Sequence, residues 1–321
     1  MLAAVRDAYG PPEIIRLREY PLPEPGDTEL LVRVHAATVN RTDCANLTGR
    51  PLVMHLVLGV GKPRSARIGT DFAGKVVSVG RAVTKFRAGD RVCGFRDTGL
   101  GGQAQYLTIS EDGPLMTIPS ELSYATAAAG LEGAHYAYSF IRRLGLRMGK
   151  RVLINGATGA IGSAALQFAA TFDVDITATA RGADAEKVSA LGAHRIIDYT
   201  QADFTRSTQR YDYVVDAVGK STYGASKRVL KDGGIYLSSE LGPYAQNVFL
   251  ALYTPLRAGN KVLFPVPYPP RESFPFIRRH LEEGSFRPLI DRSFALADIA
   301  AAYRYVLTGQ KRGNVVLRTD A

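Results

Sequence analysis

Residues 151–162 read RVLINGATGAIG, and the fold turns on how this stretch is built. Val152, Leu153 and Ile154 form a short apolar run, suited to a strand buried on both faces. The chain then turns through Gly156, Thr158, Gly159 and Gly162 and enters residues 163–172, whose composition predicts a helix. A strand, a glycine turn and a helix in that order give a glycine motif its meaning. The turn must be tight, and its backbone must come close enough to touch a ligand. A side chain at Gly159 or Gly162 would obstruct one or the other. The amides that open the helix have no partners inside it, and the helix dipole places partial positive charge on them. A pyrophosphate fits that spot. A strand-to-helix turn without a ligand has the same local pattern, so the surrounding chain has to decide.

From about residue 122 onward, strands and helices alternate. Strands are predicted at residues 175–180, 195–198, 211–217 and 235–239, with a sixth at 261–264. Residues 183–191 predict a helix stopped by Gly192, a good position for a C-terminal cap. Residues 221–230 predict another, ended by a turn at Asp232-Gly233-Gly234. Repeated strand-helix-strand units imply an α/β fold with a Rossmann-type, doubly wound parallel sheet, and ligands then bind beyond the carboxyl ends of the strands. This domain is expected to span residues 122–266.

Residues 1–121 read as mostly β, with strands at 29–36, 75–79, 91–95 and 105–109. Residues 46–68 are rich in Gly and Pro and carry apolar residues without a clear period, which suits a pocket wall, a lid or a packed loop. Residues 267–321 follow a link containing Pro265, Pro267, Pro269 and Pro270. They predict helices at 272–283 and 297–307, then a closing strand at 314–318 that should return to the first domain.

The bulk numbers narrow the class. A chain of 321 residues suits two domains. With 46% hydrophobic and 22% charged residues it has an ordinary globular mixture. No run of about 18 apolar residues is present, so no membrane span or membrane partner is expected. The opening residues MLAAVRDAYG show no secretion signal. Cys44 and Cys93 cannot make a disulfide framework, which fits a reducing, cytoplasmic location. The formal charge of +10 raises the question of nucleic acid. The basic residues are scattered, however, with pairs such as Arg142-Arg143 and Arg278-Arg279 the longest runs, and a positive surface that draws in anionic nucleotides explains the charge better.

The nucleotide can be read one step further. In dinucleotide-binding units, an acid about 20 residues after the glycines holds the adenosine ribose hydroxyls. At that place stand Thr179, Ala180 and Arg181, with Lys187 in the next helix. Arg181 can hold a 2′-phosphate through paired, charge-assisted hydrogen bonds. The expected cofactor is therefore NADPH rather than NADH.

Over nearly its whole length the chain resembles the zinc-independent medium-chain dehydrogenase/reductases of the quinone oxidoreductase type. The resemblance rests on the opening AAVRDAYGPPEIIRLREYPLPEPGDTELLVRVHAATVNRTD, on GTDFAGKVVSVGRAVTKFRAGDRVCGF, on GGQAQY, on NGATGAIGSAALQFA, on LGAHRIIDY, and on YDYVVDAVG ahead of LKDGGIYLSS. It implies a GroES-like, mostly-β catalytic domain built from both chain ends with the Rossmann domain inserted. It implies NADPH bound in the cleft, hydride delivery to a quinone or an activated carbon–carbon double bond, and often a homodimer. By similarity, Gly159, Ala160 and Ile161 form the pyrophosphate turn. Arg181, Lys187 and Tyr199 match the places that hold the 2′-phosphate and adenine. Val218 and Gly219, with Ser238 and Ser239, match the loops beside the nicotinamide half. Asn40 and Asp43 match the polar pair near nicotinamide and substrate and are the expected catalytic residues, with the Asn40 amide as a hydrogen-bond donor to the acceptor's carbonyl oxygen. Where relatives often carry a Thr beside the nicotinamide, this chain has Ala134; His135 and Tyr136 are alternative proton donors, with packing the competing role for His135.

Zinc alcohol dehydrogenases of the same superfamily use a Cys and a His as ligands, and the matching places here are Asn40 and Thr70, with a third near Gly130. The cysteine-rich lobe for structural zinc is missing, and the five histidines are scattered. No metal is expected, because zinc needs about four N, S or O donors in tetrahedral array. Without a Lewis acid an alkoxide goes unstabilised, so an electrophilic acceptor is the easier substrate. The expectation is an NADPH-dependent, metal-free reductase of quinones or α,β-unsaturated carbonyls. The alternatives are a zinc-free alcohol or acyl-chain oxidoreductase, and a low-turnover nucleotide-binding protein with a redox-sensing or RNA-binding role.

Overall fold

The computed structural model describes residues 1–319. The chain divides into two compact units. The first comprises residues 1–132, 270–278 and 288–321, and the second residues 133–269 and 279–287. The boundaries expected at 121/122 and 266/267 thus lie some residues further on. The helix Tyr124–Ala129, capped by the Ser123 side chain through Thr126 N, packs on the long strand Glu29–Val39 and so stays with the first unit.

The second unit holds a six-stranded parallel sheet. Its strands are β1 (Arg151–Asn155), β2 (Asp175–Ala180), β3 (Arg195–Asp198), β4 (Tyr211–Asp216), β5 (Leu230–Ser238) and β6 (Lys261–Leu263). Their order is β3-β2-β1-β4-β5-β6, with every pair parallel. The order reverses between β1 and β4, and in open α/β sheets that switch point is where ligands bind. Leu153, Val214, Tyr236 and Val262 are wholly buried in one core cluster.

Three local expectations are corrected. Helix α1 (Ala160–Ala170) begins three residues before position 163, because Gly159 N donates to Gly156 O (3.1 Å) and closes the turn early. The helix expected at 221–230 is only a turn of α-helix, Tyr223–Ser226, followed by a 3-10 turn, Lys227–Val229. Leu230 already pairs with Tyr211, and residues 231–234 bulge out of β5, with Gly233 at φ +73 supplying the left-handed backbone there. Strand β6 stops at Leu263, ahead of Phe264-Pro265, since proline cannot donate to a sheet ladder.

The first unit is built on a seven-stranded sheet centred on Glu29–Val39. Residues 29–33 of this strand pair with Tyr106–Ser110, and residues 36–39 pair with Asn314–Arg318, so the C-terminal strand closes onto the N-terminal domain. The other neighbour is Asp71–Val79. The helix Ile299–Leu307 covers one core cluster through Ala302, Tyr303 and Val306, all buried with Val39, Leu47 and Val315. Elements that the sequence reading left out are the hairpin Leu2–Val5 with Arg16–Glu19 and the helices Arg41–Thr48 and Gln246–Tyr253.

Candidate functional site

In the second unit the glycine turn connects β1 to helix α1. Gly156 has φ +86 and its added Cβ would lie 2.3 Å from Val218 Cγ1. At Gly162 a Cβ would lie 2.1 Å from the Gly156 carbonyl oxygen, so the turn itself requires glycine there. Gly159 differs. Its φ of −73 suits any L-residue, and a Cβ would meet nothing nearer than Gly156 O at 3.5 Å. The protein leaves room for a side chain at Gly159 and does not use it. Gly159 caps α1 with no side-chain hydrogen bond to the helix end, so the amides of Ala160 and Ile161 stand at an uncapped, positive terminus. Thr158, half-buried, completes the turn. This open cradle fits the pyrophosphate of a dinucleotide.

The carboxyl ends of three strands are tied together behind the cradle. Gly156 N donates to Thr179 Oγ1 (2.9 Å), and Thr179 Oγ1 donates to Asn155 Oδ1 (2.6 Å). Asn155 Nδ2 donates to Asp216 Oδ1 (3.0 Å). The same carboxylate receives Gly219 N at 3.0 Å, Val218 N at 3.3 Å and, on its other oxygen, Ser221 N at 3.0 Å. Ser239 N donates to the Asp216 carbonyl (3.0 Å), while Ser238 is buried and its Oγ accepts from Glu240 N (3.2 Å). One buried carboxylate thus sets the loops carrying Val218, Gly219, Ser238 and Ser239. Asp216 was missed as a site residue. The available signal was an acid ending an apolar strand, because a buried carboxylate demands N–H donors.

At the end of β2 the Arg181 Nε donates to Tyr199 OH (2.9 Å) on the surface, so these two are brought together. Lys187 sits exposed on the next helix, α2 (Ala185–Ala190). The buried Asp184 in the following turn acts on the Arg181 charge, and Asp198 lies at the end of β3. Its carboxylate accepts from Thr200 N (2.9 Å) and Thr200 Oγ1 (2.7 Å), which hold it ionised below the usual carboxylate range. A further hydrogen bond from the Gly182 backbone ties it to the residue after Arg181.

Asn40 and Asp43 lie in the first unit, buried and locked to each other. They form a capping box on the helix Arg41–Thr48: Asp43 N donates to Asn40 Oδ1 (2.8 Å) and Asn40 N donates to Asp43 Oδ2 (3.1 Å). The Asn40 amide donates to Thr70 Oγ1 (2.9 Å), and Thr70 N donates to Asp43 Oδ1 (2.9 Å). Beside them Asp71, fully buried, accepts from Thr38 N (2.6 Å) and from the Thr38 hydroxyl. Thr42 Oγ1 donates to Glu132 Oε1 (2.9 Å). Burial raises the pKa of Asp43, Asp71 and Glu132, and the neighbouring Asp71 charge raises Asp43 further.

These shifts carry a stability prediction. The folded chain holds protons on these acids more tightly than the unfolded chain does, so their stabilisation is complete below the unfolded pKa and is lost as pH rises through the folded one. The melting temperature of the first unit should fall between about pH 5 and about pH 8, and Asp71→Asn should cost less at the upper pH than at the lower. Thermal melts of wild type and variant check this; an equal deficit at both pH values would remove Asp71 from the cause.

His135 is wholly buried, its pKa lowered to about 4 by burial, and its ring meets Tyr136 edge-on at 5.7 Å.

The residues do not fit a zinc ion. Asn40 and Thr70 offer an amide and a hydroxyl already bonded to each other. Among the described residues no group of three or more His, Cys, Asp or Glu is placed to hold a metal. Nor, among them, is any helix long and apolar enough to cross a membrane.

A GroES-like β unit joined to a Rossmann sheet of this order defines the medium-chain dehydrogenase/reductase architecture. Residues 26–120 match the alcohol dehydrogenase GroES-like domain family, and residues 191–317 match the family described as zinc-binding dehydrogenase. The chain is 28% identical to a chloroplastic quinone-oxidoreductase homolog of Spinacia oleracea, over 93% of this chain and 92% of that one. It is 28% identical to a 2-methylene-furan-3-one reductase of Solanum lycopersicum, over 96% of this chain and 76% of the relative. The solved quinone oxidoreductase of Coxiella burnetii superposes with a TM-score of 0.86 at 26% identity, covering 99% of both chains. The protein belongs to the medium-chain dehydrogenase/reductases of the quinone oxidoreductase type, a family of oxidoreductases.

Proposed function

We propose that the protein is an NADPH-dependent, metal-free reductase of a quinone or an α,β-unsaturated carbonyl. The observation that carries this is the cradle at Gly159, uncapped and sterically vacant, with Arg181 rather than an acid at the end of β2. The amides of Ala160 and Ile161 bind the pyrophosphate, with Gly156, Thr158 and Gly162 shaping the turn. Arg181 takes the 2′-phosphate, assisted by Tyr199 and Lys187. Thr179 and the Asp216 network hold Val218, Gly219, Ser238 and Ser239 beside the nicotinamide half. When bound, the cofactor supplies the hydride. Asn40 and Asp43 act by positioning: their capping box fixes the first turn of the helix and holds the Thr70 backbone and hydroxyl in place. An electrophilic acceptor favours this reading, since the donor set at Asn40 and Thr70 gives no Lewis acid to stabilise an alkoxide. The Solanum relative is named for reduction of a conjugated methylene-furanone and the Spinacia relative for quinones, and both are electrophiles of that kind.

The test follows NADPH absorbance with a short quinone, with an enal, and in reverse with an alcohol plus NADP. Turnover of the quinone or enal, undiminished by a chelator, is expected. Turnover of the alcohol alone, or abolition by the chelator, would overturn the proposal. Absence of all turnover together with salt-sensitive RNA binding would favour a nucleic-acid role instead.

A further inference from the structure

In the first unit a cavity of about 210 Å³ is lined by Arg6, Asn46, Leu58, Ile68 and Tyr303, with Arg64 and Arg67 at its rim. Arg6 is buried, only 5% exposed, yet its Nε and one terminal nitrogen reach no hydrogen-bond acceptor. The Tyr9 ring lies under the guanidinium at 5.1 Å, and that ring is itself held by the hydrogen bond from Tyr9 OH to Gly59 O (2.7 Å). The carboxylate that also lines the cavity, Asp43, is already occupied: its two oxygens accept from Asn40 N and Thr70 N. Burial lowers the pKa of Arg6, and the neighbouring Asp43 charge offsets this only in part. Asn46, which also lines the cavity, carries a second orphan. Asn46 Nδ2 donates to the Asp97 carbonyl (2.8 Å), which fixes the amide orientation and leaves Oδ1 buried with no donor.

We propose that this cavity is a binding site for a short-chain carboxylate. One oxygen of the acid answers Arg6. The apolar part of the acid lies against Leu58 and Ile68. Burial pushes the Asp43 carboxyl up from its usual range. The cationic rim of Arg64 and Arg67, both exposed, draws the anion in. The site is independent of hydride chemistry: it needs neither cofactor nor turnover to be detected.

Titration calorimetry of the full chain without cofactor tests it, with crotonate, the neutral crotonamide and inorganic phosphate as probes. Crotonate should bind and crotonamide should bind at least tenfold more weakly. Arg6→Met should reduce crotonate affinity at least tenfold, and Arg6→Lys less than that. Should Arg6→Met fail to fold, Arg67→Glu at the exposed rim serves in its place, weakening crotonate severalfold and steepening no response to crotonamide. Equal binding of acid and amide, or crotonate affinity untouched by these variants, would overturn the proposal. Phosphate binding more tightly than crotonate would overturn the choice of carboxylate.

Discussion

Gly159→Val should fold like the wild type and lose the dinucleotide. The backbone at this position is already that of an ordinary L-residue, and a Cβ would meet nothing closer than 3.5 Å. The added side chain projects into the cradle instead, over the amides of Ala160 and Ile161. Hydrogen bonds to a charged group contribute roughly 1.5–3 kcal/mol each. Losing two of them weakens binding by about two to four orders of magnitude, taking about 1.4 kcal/mol per tenfold. Gly162→Val is the contrasting case. Its Cβ would stand 2.1 Å from the Gly156 carbonyl oxygen, a backbone atom that cannot rotate away. That variant should lose stability as well as the ligand. Melting curves beside NADPH titrations separate the two. If Gly159→Val keeps its affinity, the uncapped end of α1 is not the pyrophosphate site.

Arg181→Asp should reverse the choice of nucleotide. The guanidinium lies at the surface, bonded through Nε to Tyr199 OH, so its replacement disturbs no core. An Asp there repels a 2′-phosphate and offers a carboxylate to a plain ribose, the arrangement that favours NAD. Loss of one or two charge-assisted bonds makes NADPH about 10- to 10,000-fold weaker, with NADH unchanged or improved. Equal losses for both cofactors would take Arg181 out of the phosphate site. Because the side chain is exposed, the effect on NADPH should also shrink at high salt.

Much of the second unit is legible in the chain. Short, largely apolar runs mark β1 to β6, as suits parallel strands covered on both faces. The turn after Ile154 declares itself because only glycine satisfies Gly162 against a backbone oxygen. Arg181 is visible by its position at a strand end. In the first unit less is readable. The Asn40-x-x-Asp43 spacing is that of a capping box, and the structure shows that bonding, which sequence similarity alone had assigned to the reacting groups. Residues 46–68, left open among wall, lid and loop, supply Asn46, Leu58, Arg64, Arg67 and Ile68 to a cavity.

The positions of the strands, the glycine turn and the arginine ending β2 were thus legible in local sequence, because each depends on neighbours a few residues apart: an apolar run, a backbone that only glycine can follow, a charge ending a strand. The polar networks were decided by tertiary structure alone. Asp216 meets Asn155 across 61 positions, Tyr303 OH reaches Gln103 across 200, and Arg6 is buried with its Nε and one terminal nitrogen short of an acceptor. Whether a buried polar group finds its partner is a matter of distance in space, and no period or spacing along the chain encodes it.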